Sequence, residues 1–481
     1  MVSLAAFRVN SGSTLGAALS LAVTTMGAGI LTLPSAYADA GIIPATLVLT
    51  GVAVFTVFSV DFIILGVDKL GRNSYEELTG ELLGRHAEEF IRWMLITYNT
   101  GAAISYLVVV EDLVAPLQPL VTSHFPLLTT SKHTLLAVWT VLILPLSCVP
   151  TLGALHVSSF LAITATSLIC CMIIFRYFVP GPTEPSAMTA QAVASGTATA
   201  SWWWGVNPLL ALPIIMFSFD CQSLVFQIYA GLDDMRRSNM MKVSVLSLIV
   251  TGVIHAAVGF FGYISNPIDV RDNIISNYDP KVDRLFTVGY VLYAAPIILA
   301  FVIMLFPIRD SIFILWYGYS SASVATHVPR SKDFTRLVDQ EEKLKLLSLV
   351  EGEAGETLNK TYGSVEEELQ YVVKSKKHHN SIETIPARDH LLISITLSTL
   401  CVSVALIVPG IVSVVALLGG LCSSTLCFTV PGLYRWQMHY NHIARCHSVS
   451  EWCMMVLMVV LGAAATVLGT AVSIQDVFFS H

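Results

Sequence analysis

Asp220 is an acidic residue inside a long apolar stretch, 206–230, and its neighbours two positions away, Ser218 and Gln222, are also polar. On a regular helix this alternation would turn Asp220 nearly opposite the other two, whereas an unwound segment would place all three on one side. The stretch is long enough to cross a bilayer, and an ionisable side chain at membrane depth indicates a binding or ion-translocating site. The alternative is a structural carboxyl that is neutral or hydrogen-bonded.

A second candidate site is the interruption of the first apolar stretch at 24–37, "TTMGAGILTLPSAY", where two glycines flank Ala28 and a proline follows. Backbone polar groups in lipid must be paired, so such a break is tolerated only where it is buried in protein or lines a cavity. Amides freed at the start of one half-helix can bind an anion, and carbonyls freed at the end of the other can bind a cation. A zwitterionic amino acid carries both charges and fits this geometry. The alternative for Gly27 and Gly29 is close helix packing.

The composition indicates that both stretches belong to a polytopic membrane protein. Of 481 residues, 54% are hydrophobic and 12% are charged, with a mean hydropathy of +0.71; soluble domains have about 25% charged residues. We predict eleven spans, at 13–38, 41–67, 92–118, 132–149, 155–178, 206–230, 241–264, 285–306, 389–409, 411–434 and 449–473. The first is too long for the apolar region of a signal peptide, so we expect it to remain in the mature protein.

The two interrupted spans are the first and the sixth, and a separation of five spans is typical of transporters built from inverted repeats. We therefore predict an all-α polytopic membrane protein with eleven transmembrane helices, an inverted five-plus-five repeat plus one, in which helices 1 and 6 are discontinuous. The predicted divisions are a cytoplasmic tail at 1–12, a first repeat at 13–178, an extracellular loop at 179–205, a second repeat at 206–434, and a last helix with the C-terminus at 435–481.

Lysine and arginine fall mainly on one side of this arrangement, because 21 of the 26 lie on the same side as the N-terminus. Cytoplasmic loops retain positive charge during insertion, so we predict a cytoplasmic N-terminus and an extracellular or lumenal C-terminus. The same side carries the long polar segment 319–388. Within it, 333–350 has apolar residues at helical spacing and is a candidate contact for a cytosolic regulator. The alternative is a solvated loop without a role.

Catalytic and metal-binding chemistry has little support in the sequence. No phosphate-binding, Walker or dinucleotide-binding motif is found in any loop. His439 and His442 are spaced i, i+3, but they lie in a short predicted turn where a solvated or lipid-facing role is favoured over a metal site. No set of Ser, His and Asp can be placed at one membrane depth. We therefore predict neither an enzyme nor a resident metal or cofactor, and no nucleic acid partner.

Five motifs, in the right order along the chain, resemble those of one transporter family. They are "GAGILTLPSAYADAGI" at 27–42, "SYEELTGELLG" at 74–84, "YLVVVEDL" at 106–113, "MLFPIRDSI" at 304–312 and "VPGIVSVVALLGGLCSSTLCFTVPGLY" at 408–434. On these motifs the chain resembles the amino acid/auxin permease family, part of the wider superfamily with a five-plus-five inverted repeat. The resemblance implies an eleven-helix secondary transporter that moves amino acids across the lipid bilayer by alternating access.

The resemblance also implies which residues contact the substrate. In that fold the carboxylate and amino group of the substrate meet the backbone of helices 1 and 6, which corresponds here to Thr25, Met26, Gly27, Ala28, Gly29, Phe217, Ser218, Phe219 and Asp220. Helices 3, 6 and 8 would complete the pocket, with Tyr98, Asn99, Tyr106, Tyr290 and Tyr293 as candidates. Taken singly, each of these five also fits core packing.

The expected coupling ion is inferred from one difference between this chain and the family pattern. Sodium-coupled members place hydroxyl residues in the second half of helix 8, but 294–306, "AAPIILAFVIMLF", has none. A hard cation needs several oxygen ligands, so we do not expect a complete sodium site. We expect a proton symporter or potential-driven uptake, with Asp220, Glu111 and Asp112 as candidate titrating groups. Asp220 could instead pair with the side chain of a bound lysine or arginine, which leaves cationic and neutral amino acids as predicted substrates.

A membrane receptor that senses amino acids is the alternative from another class, with the 319–388 loop relaying occupancy to a cytosolic partner. Binding and transport would use the same pocket, so the sequence leaves both open. Surface and endolysosomal locations both occur in the resembled family. We expect the plasma membrane rather than an endolysosomal or vacuolar membrane.

Overall fold

The computed structural model describes residues 13–72, 74–149, 155–179, 200–317, 387–446 and 448–479. Within these six ranges the chain consists of helices and the connections between them, and no β-strand occurs there. The predicted regulator contact at 333–350 and the tail at 1–12 lie outside the described residues.

The helices follow one another along the chain with several 3₁₀ and π segments between them. They are α1 (Thr14–Thr25), α2 (Leu33–Ala40), α3 (Ile42–Leu70), α4 (Tyr75–Leu83), α5 (Arg85–Val114), α6 (Gln118–His124), α7 (Ser131–Val138), α8 (Leu144–Ser147), α9 (Leu155–Phe178), α10 (Pro208–Ser218), α11 (Gln222–Ala230), α12 (Arg237–Ser265), α13 (Arg284–Tyr317), α14 (Ala387–Ala405), α15 (Ile411–Leu418), α16 (Val430–Tyr440) and α17 (Val449–Phe479). The 3₁₀ segments are Ala28–Thr32, Ala115–Leu117 and Ile274–Asn277, and the π segments are Trp139–Ile143, Gly419–Ser423 and Thr425–Thr429.

Among the residues described, eight helices are long and apolar enough to cross a membrane. They are Ile42–Leu70, Arg85–Leu117, Pro208–Ala230, Arg237–Ser265, Arg284–Phe313, Arg388–Ala405, Ile411–Tyr440 and Val449–Asp476. The other three predicted spans correspond to the broken first helix and to two shorter apolar helices, Ser131–Ser147 and Thr164–Phe178. The protein is therefore an all-α polytopic membrane protein, as predicted. The count of eleven spanning helices and the division into repeats stay predictions.

The chain divides into two compact units, residues 1–311 with 393–481, and residues 312–392. The described part of the second unit is 312–317 and 387–392, where the rings of Phe313 and His390 stack with their centroids 6.3 Å apart. Both interrupted spans lie in the first unit.

The interior of the first unit is built around two spans. Over the most apolar 18 residues of each span, 78% of the residues are buried in Pro208–Ala230 and 89% in Ile411–Tyr440, against 28% in Val449–Asp476. The two inner spans approach closely at Gly419, where a Cβ atom would lie 1.8 Å from the carbonyl oxygen of Pro213. α12 packs along span 1 and α3. Span 6 is therefore enclosed by protein along most of its length, as an irregular backbone in a membrane requires.

Candidate functional site

Span 1 is interrupted between Thr25 and Ala28. α1 ends at Thr25, whose hydroxyl donates to the carbonyl oxygen of Ala22 at 2.8 Å. Gly27 is extended, with φ −83° and ψ −151°, and a 3₁₀ turn then leads into α2, which has a proline in its first turn. The helical hydrogen-bond ladder is thus open in the middle of the span, where backbone amides and carbonyls become available to a ligand.

Span 6 is interrupted between Ser218 and Gln222. α10 ends at Ser218 and α11 begins at Gln222, and Cys221 between them has φ −144° and ψ −2°, which is not helical. The Oε1 atom of Gln222 accepts a hydrogen bond from the backbone N–H of Cys221 at 2.9 Å and so satisfies a group that the break frees. Asp220 lies inside the break and is buried. The discontinuity predicted from the alternation of polar residues is confirmed.

The two interruptions touch each other at Ser218 and Gly29. The hydroxyl of Ser218 lies 3.1 Å from the carbonyl oxygen of Gly29 and 3.0 Å from that of Ile214, so its single proton is shared between the two acceptors. A Cβ atom on Gly29 would lie 2.8 Å from Ser218 Oγ and 3.0 Å from Phe217 Cδ1. Gly29 therefore permits a close contact between the spans, which is the packing alternative considered for it.

Gly27 has a different environment from Gly29. A Cβ atom on Gly27 would lie 3.0 Å from the hydroxyl of Tyr106 on α5 and 4.0 Å from the carbonyl oxygen of Thr24. The backbone of Ala28 also lies near the Tyr106 hydroxyl. The open turn of span 1 therefore faces a hydroxyl group that can donate to or accept from a small polar ligand.

The carboxyl of Asp220 is surrounded by neutral polar groups. The groups that lie near this carboxyl are the side chains of Ser423, Cys427 and Tyr98 and the backbone of Gln222. None of these groups meets hydrogen-bond geometry at its Oδ2 atom, which is buried without a partner in the described structure. An unpartnered buried carboxylate oxygen is costly, so Asp220 is an open acceptor for a ligand cation or a proton.

Several residues around Asp220 were not predicted from the sequence. Ser423 and Cys427 belong to the two π segments of the span that runs from Ile411 to Tyr440. The side chain of Gln222 links the break to two other spans, because its Nε2 donates to Ser59 Oγ at 3.2 Å and its Oε1 accepts from Cys427 Sγ at 2.9 Å. The available sequence signal was the run of small polar residues in 419–429. The structure forms π segments there, and π segments within helices are frequent at functional sites.

The predicted pocket residues divide into those that reach the breaks and those that do not. The rings of Tyr98 and Phe217 pack with their centroids 5.8 Å apart, which brings Tyr98 to the same region as Tyr106. Asn99 instead donates from Nδ2 to the Leu95 carbonyl of its own helix at 2.7 Å. Tyr290 donates to the Ile275 carbonyl at 3.0 Å, which ties it to a connecting loop.

The remaining predicted residues are buried. Thr25 shares a hydrogen bond with Thr251 of α12 at 3.0 Å between the two hydroxyl oxygens. Tyr293 is buried beside Thr166, and Met26 and Phe219 are buried as well.

Glu111 and Asp112 are held away from Asp220. Glu111 Oε1 accepts from the Ser131 hydroxyl at 2.8 Å, and Asp112 Oδ2 accepts from Asn273 Nδ2 at 3.0 Å. Both acidic residues lie near the end of α5 and are engaged with the segments that follow α6 and α12. Of the three candidate titrating groups, Asp220 alone lies in a break.

The arrangement combines backbone groups of two open turns with one carboxylate and the hydroxyls of Tyr106 and Ser218. Such a site can pair with both charges of a zwitterion and leave Asp220 for a third charge. In the part of the chain that the structure describes, no group of three or more His, Cys, Asp and Glu side chains is placed to hold a metal ion.

Comparisons with known proteins agree with a membrane transporter. The family model described as "Transmembrane amino acid transporter protein" matches residues 10–475. Vacuolar amino acid transporter 6 of Saccharomyces cerevisiae is 25% identical over 424 residues, which cover 87% of this chain and 89% of the relative.

Two solved structures are similar over 97% of this chain. One is a Na+-coupled sialic acid symporter in a substrate-bound outward-open state, with 12% identity, a TM-score of 0.46 and 90% of that chain covered. The other is the Eremococcus coleocola manganese transporter, with 13% identity, a TM-score of 0.39 and 92% covered. By the family match over nearly its whole length, the chain belongs to the transmembrane amino acid transporter family.

Proposed function

We propose that this protein is a secondary active permease that moves an amino acid across a membrane by alternating access. The observation that carries the proposal is the contact between two interrupted spans, with Ser218 of one break bonded to Gly29 of the other. Half-helix ends that meet inside a membrane supply amides for a carboxylate and carbonyls for an amino group. Because the breaks touch, a change in either span shifts the other, as alternating access requires.

The proposed substrate is a cationic or neutral amino acid. Oδ2 of Asp220 is buried without a partner, so it would accept the ammonium or guanidinium group of a bound lysine or arginine. An acidic substrate would be repelled by the same carboxylate.

The proposed energy source is a proton gradient or the membrane potential. The second half of α13 has no hydroxyl side chain in 294–306, and a sodium site needs several oxygen ligands. Asp220 is therefore proposed either as a proton carrier or as the counter-ion of a cationic substrate.

Uptake of each of the twenty amino acids into proteoliposomes tests the proposal. The assay would be run at acidic and neutral pH, with and without sodium, and with and without an imposed potential. Accumulation of at least one cationic or neutral amino acid is expected. Binding without accumulation would overturn transport and favour the receptor alternative.

Asp220→Asn separates the two roles of the carboxylate. A counter-ion role predicts selective loss of lysine and arginine uptake by about tenfold or more, because charge-assisted contacts contribute about 1.5–3 kcal/mol. A proton-carrier role predicts loss of pH dependence for every substrate. Asp112→Asn is the matched control, because Asp112 pairs with Asn273 away from both breaks. Equal losses in the two variants would contradict a specific role of Asp220.

For location we propose an endolysosomal or vacuolar membrane. The yeast relative is named as a vacuolar transporter, and this gives no support to the plasma membrane expected from the sequence. A fluorescently tagged full-length chain imaged with vacuolar and surface markers tests the proposal, and surface labelling alone would contradict it.

A further inference from the structure

His255 is a fully buried histidine on α12 that no predicted site includes. Its exposed surface is 0%, and neither Nδ1 nor Nε2 has a hydrogen-bond partner in the described structure. Burying an imidazole without a partner is costly, since at least one ring nitrogen is a donor and the other an acceptor in the neutral form. The hydrogen-bonding capacity of such a ring is satisfied only when another polar group contacts it.

The position of His255 along α12 places it level with the break of span 1. One helix turn before it, Thr251 bonds to Thr25, the last residue of α1. One turn after it, a Cβ atom on Gly259 would lie 2.4 Å from the Tyr37 ring on α2. Residues four apart lie on one helix face, about 6 Å from each other along the axis. His255 therefore stands between the two halves of span 1, on the face of α12 that contacts them.

The break of span 6 reaches the same ring from another direction. Phe219, the residue before Asp220, packs edge-to-face on His255 with the ring centroids 5.0 Å apart. α12 also packs against the 3₁₀ turn of Ala28–Thr32. His255 is thus next to both breaks, while Asp220 is surrounded by α5 and the two π segments.

Titratable side chains lie on several of the elements around His255. The titratable groups with described side chains on the elements packed against α12 are Tyr37, Asp39, Asp61, Asp68, Lys69, Cys170, Cys171, Arg176 and Tyr177, and the span 6 break, which reaches the ring through Phe219, adds Asp220 and Cys221. Asp61 is paired with Arg237, and Arg176 with Asp283. An imidazolium formed here would have no partner at hydrogen-bond distance in the described structure until an anion arrived.

We propose that His255 binds the carboxylate of the substrate and takes up one proton with it. The proton comes from the aqueous side that the site faces and converts the neutral ring to imidazolium, which pairs with the carboxylate. Each partner makes the other's binding more favourable, so proton and amino acid are thermodynamically linked. Phe219 covers the ring and must shift when the ligand enters. His255 can have this role only if the chain transports amino acids as proposed above.

Proton uptake during ligand binding tests the role of His255. The purified full-length protein would be titrated with L-lysine and with L-alanine by calorimetry in two buffers that differ in ionisation enthalpy, which counts protons bound per ligand. Close to one proton per amino acid is expected near neutral pH, and alaninamide, which lacks the carboxylate, is expected to take up none. The Kd should decrease as the pH is lowered from about 8 to about 6, because a ligand that binds together with a proton binds more tightly at higher proton concentration.

His255→Gln and His255→Asn should abolish the proton uptake and the pH dependence of Kd. Affinity at about pH 6 should fall by about tenfold, the effect expected from loss of one charge-assisted contact. Ser247→Ala is the matched control, because Ser247 is also buried without a partner on α12, two turns away. It should bind protons and ligand as the wild type does.

Unchanged proton uptake in a folded His255 variant would overturn the inference. If both variants aggregate, the wild type decides: binding without proton uptake, or equal uptake with alaninamide, would also overturn it. Those results leave the proposed transport function intact. Failure of the wild type to bind either L-lysine or L-alanine would remove the proposed function and this role of His255 together.

Discussion

The break in span 1 has no ionisable side chain from Thr25 to Leu33, whereas the break in span 6 has Asp220 at its centre. The first opening is made by backbone and by the absence of side chains, since its glycines face Ser218 and Tyr106. The second opening is lined by side chains, and Gln222 bonds to two other spans. We infer a division of roles, in which span 1 supplies shape and backbone contacts and span 6 supplies charge.

Of the variants predicted here to alter the two breaks, Gly29→Ala should reduce uptake the most. The added Cβ would lie 2.8 Å from Ser218 Oγ and 3.1 Å from Ser218 Cα, so a short side chain and the backbone would both have to move. Overpacking of this kind costs about 1–3 kcal/mol, so we expect uptake to fall by about tenfold or more. Initial uptake rates and thermal unfolding of the purified variant would be measured together.

The control for Gly29→Ala is Gly252→Ala on α12, where an added Cβ would meet no atom of another element within 4 Å in the described structure. Helix propensity favours alanine over glycine, so this variant should be as stable as the wild type or slightly more stable. Equal losses in both variants would mean that any added methyl group harms transport. The contact between the two breaks would then not explain the loss of transport in Gly29→Ala.

The two breaks differ in how much of each could be predicted. Gly27 and Gly29 in one apolar run, and polar residues alternating around Asp220 in another, are local signals, and each break lies where its signal predicted. Ser423 and Cys427 lie about 200 residues from Asp220 and reach it through π segments. Such a contact depends on how helices pack, which the order of residues in one span does not specify.

The pocket tyrosines show the same limit on sequence-based prediction. Tyr290 and Tyr106 are both aromatic residues in spans that the family fold places around the substrate. One bonds to the carbonyl of Ile275 in a connecting loop, and the other faces Gly27. The apolar pattern of a helix surrounded by lipid and protein does not distinguish its faces. The signal for His255 is only that an ionisable side chain lies inside the predicted span 241–264.

Gly27→Ala should reduce uptake moderately, and the additional change Tyr106→Phe should partly restore it. Apart from the residues adjacent in the chain, the atoms of the described structure within 4 Å of the added Cβ are Tyr106 Oη at 3.0 Å and the Thr24 carbonyl oxygen at 4.0 Å. Tyr106→Phe removes the hydroxyl, so the double variant should be less impaired than Gly27→Ala alone. We expect a loss of a few-fold for Gly27→Ala and a measurable positive coupling in the double-mutant cycle.

Kinetics of the same four proteins would show whether Tyr106 also binds the substrate. Packing alone predicts that Tyr106→Phe keeps the wild-type KM, whereas a lost hydrogen bond to the ligand raises KM by about two- to tenfold. Additive losses in the cycle would contradict the contact between Gly27 and Tyr106. The open turn of span 1 would then face another group.

Changes at Cys427 should have the smallest effect, because they alter one side-chain bond behind the carboxylate. The thiol donates to Gln222 Oε1 at 2.9 Å, but that oxygen also accepts from the backbone N–H of Cys221 and keeps a partner without the thiol. Cys427→Ala should therefore cost less than about 1 kcal/mol, and uptake should fall by less than about fivefold. Cys427→Ser retains a donor and should lie closer to the wild type. If the serine variant is as impaired as the alanine variant, then the volume of the sulfur matters at the span 6 break and the hydrogen bond does not.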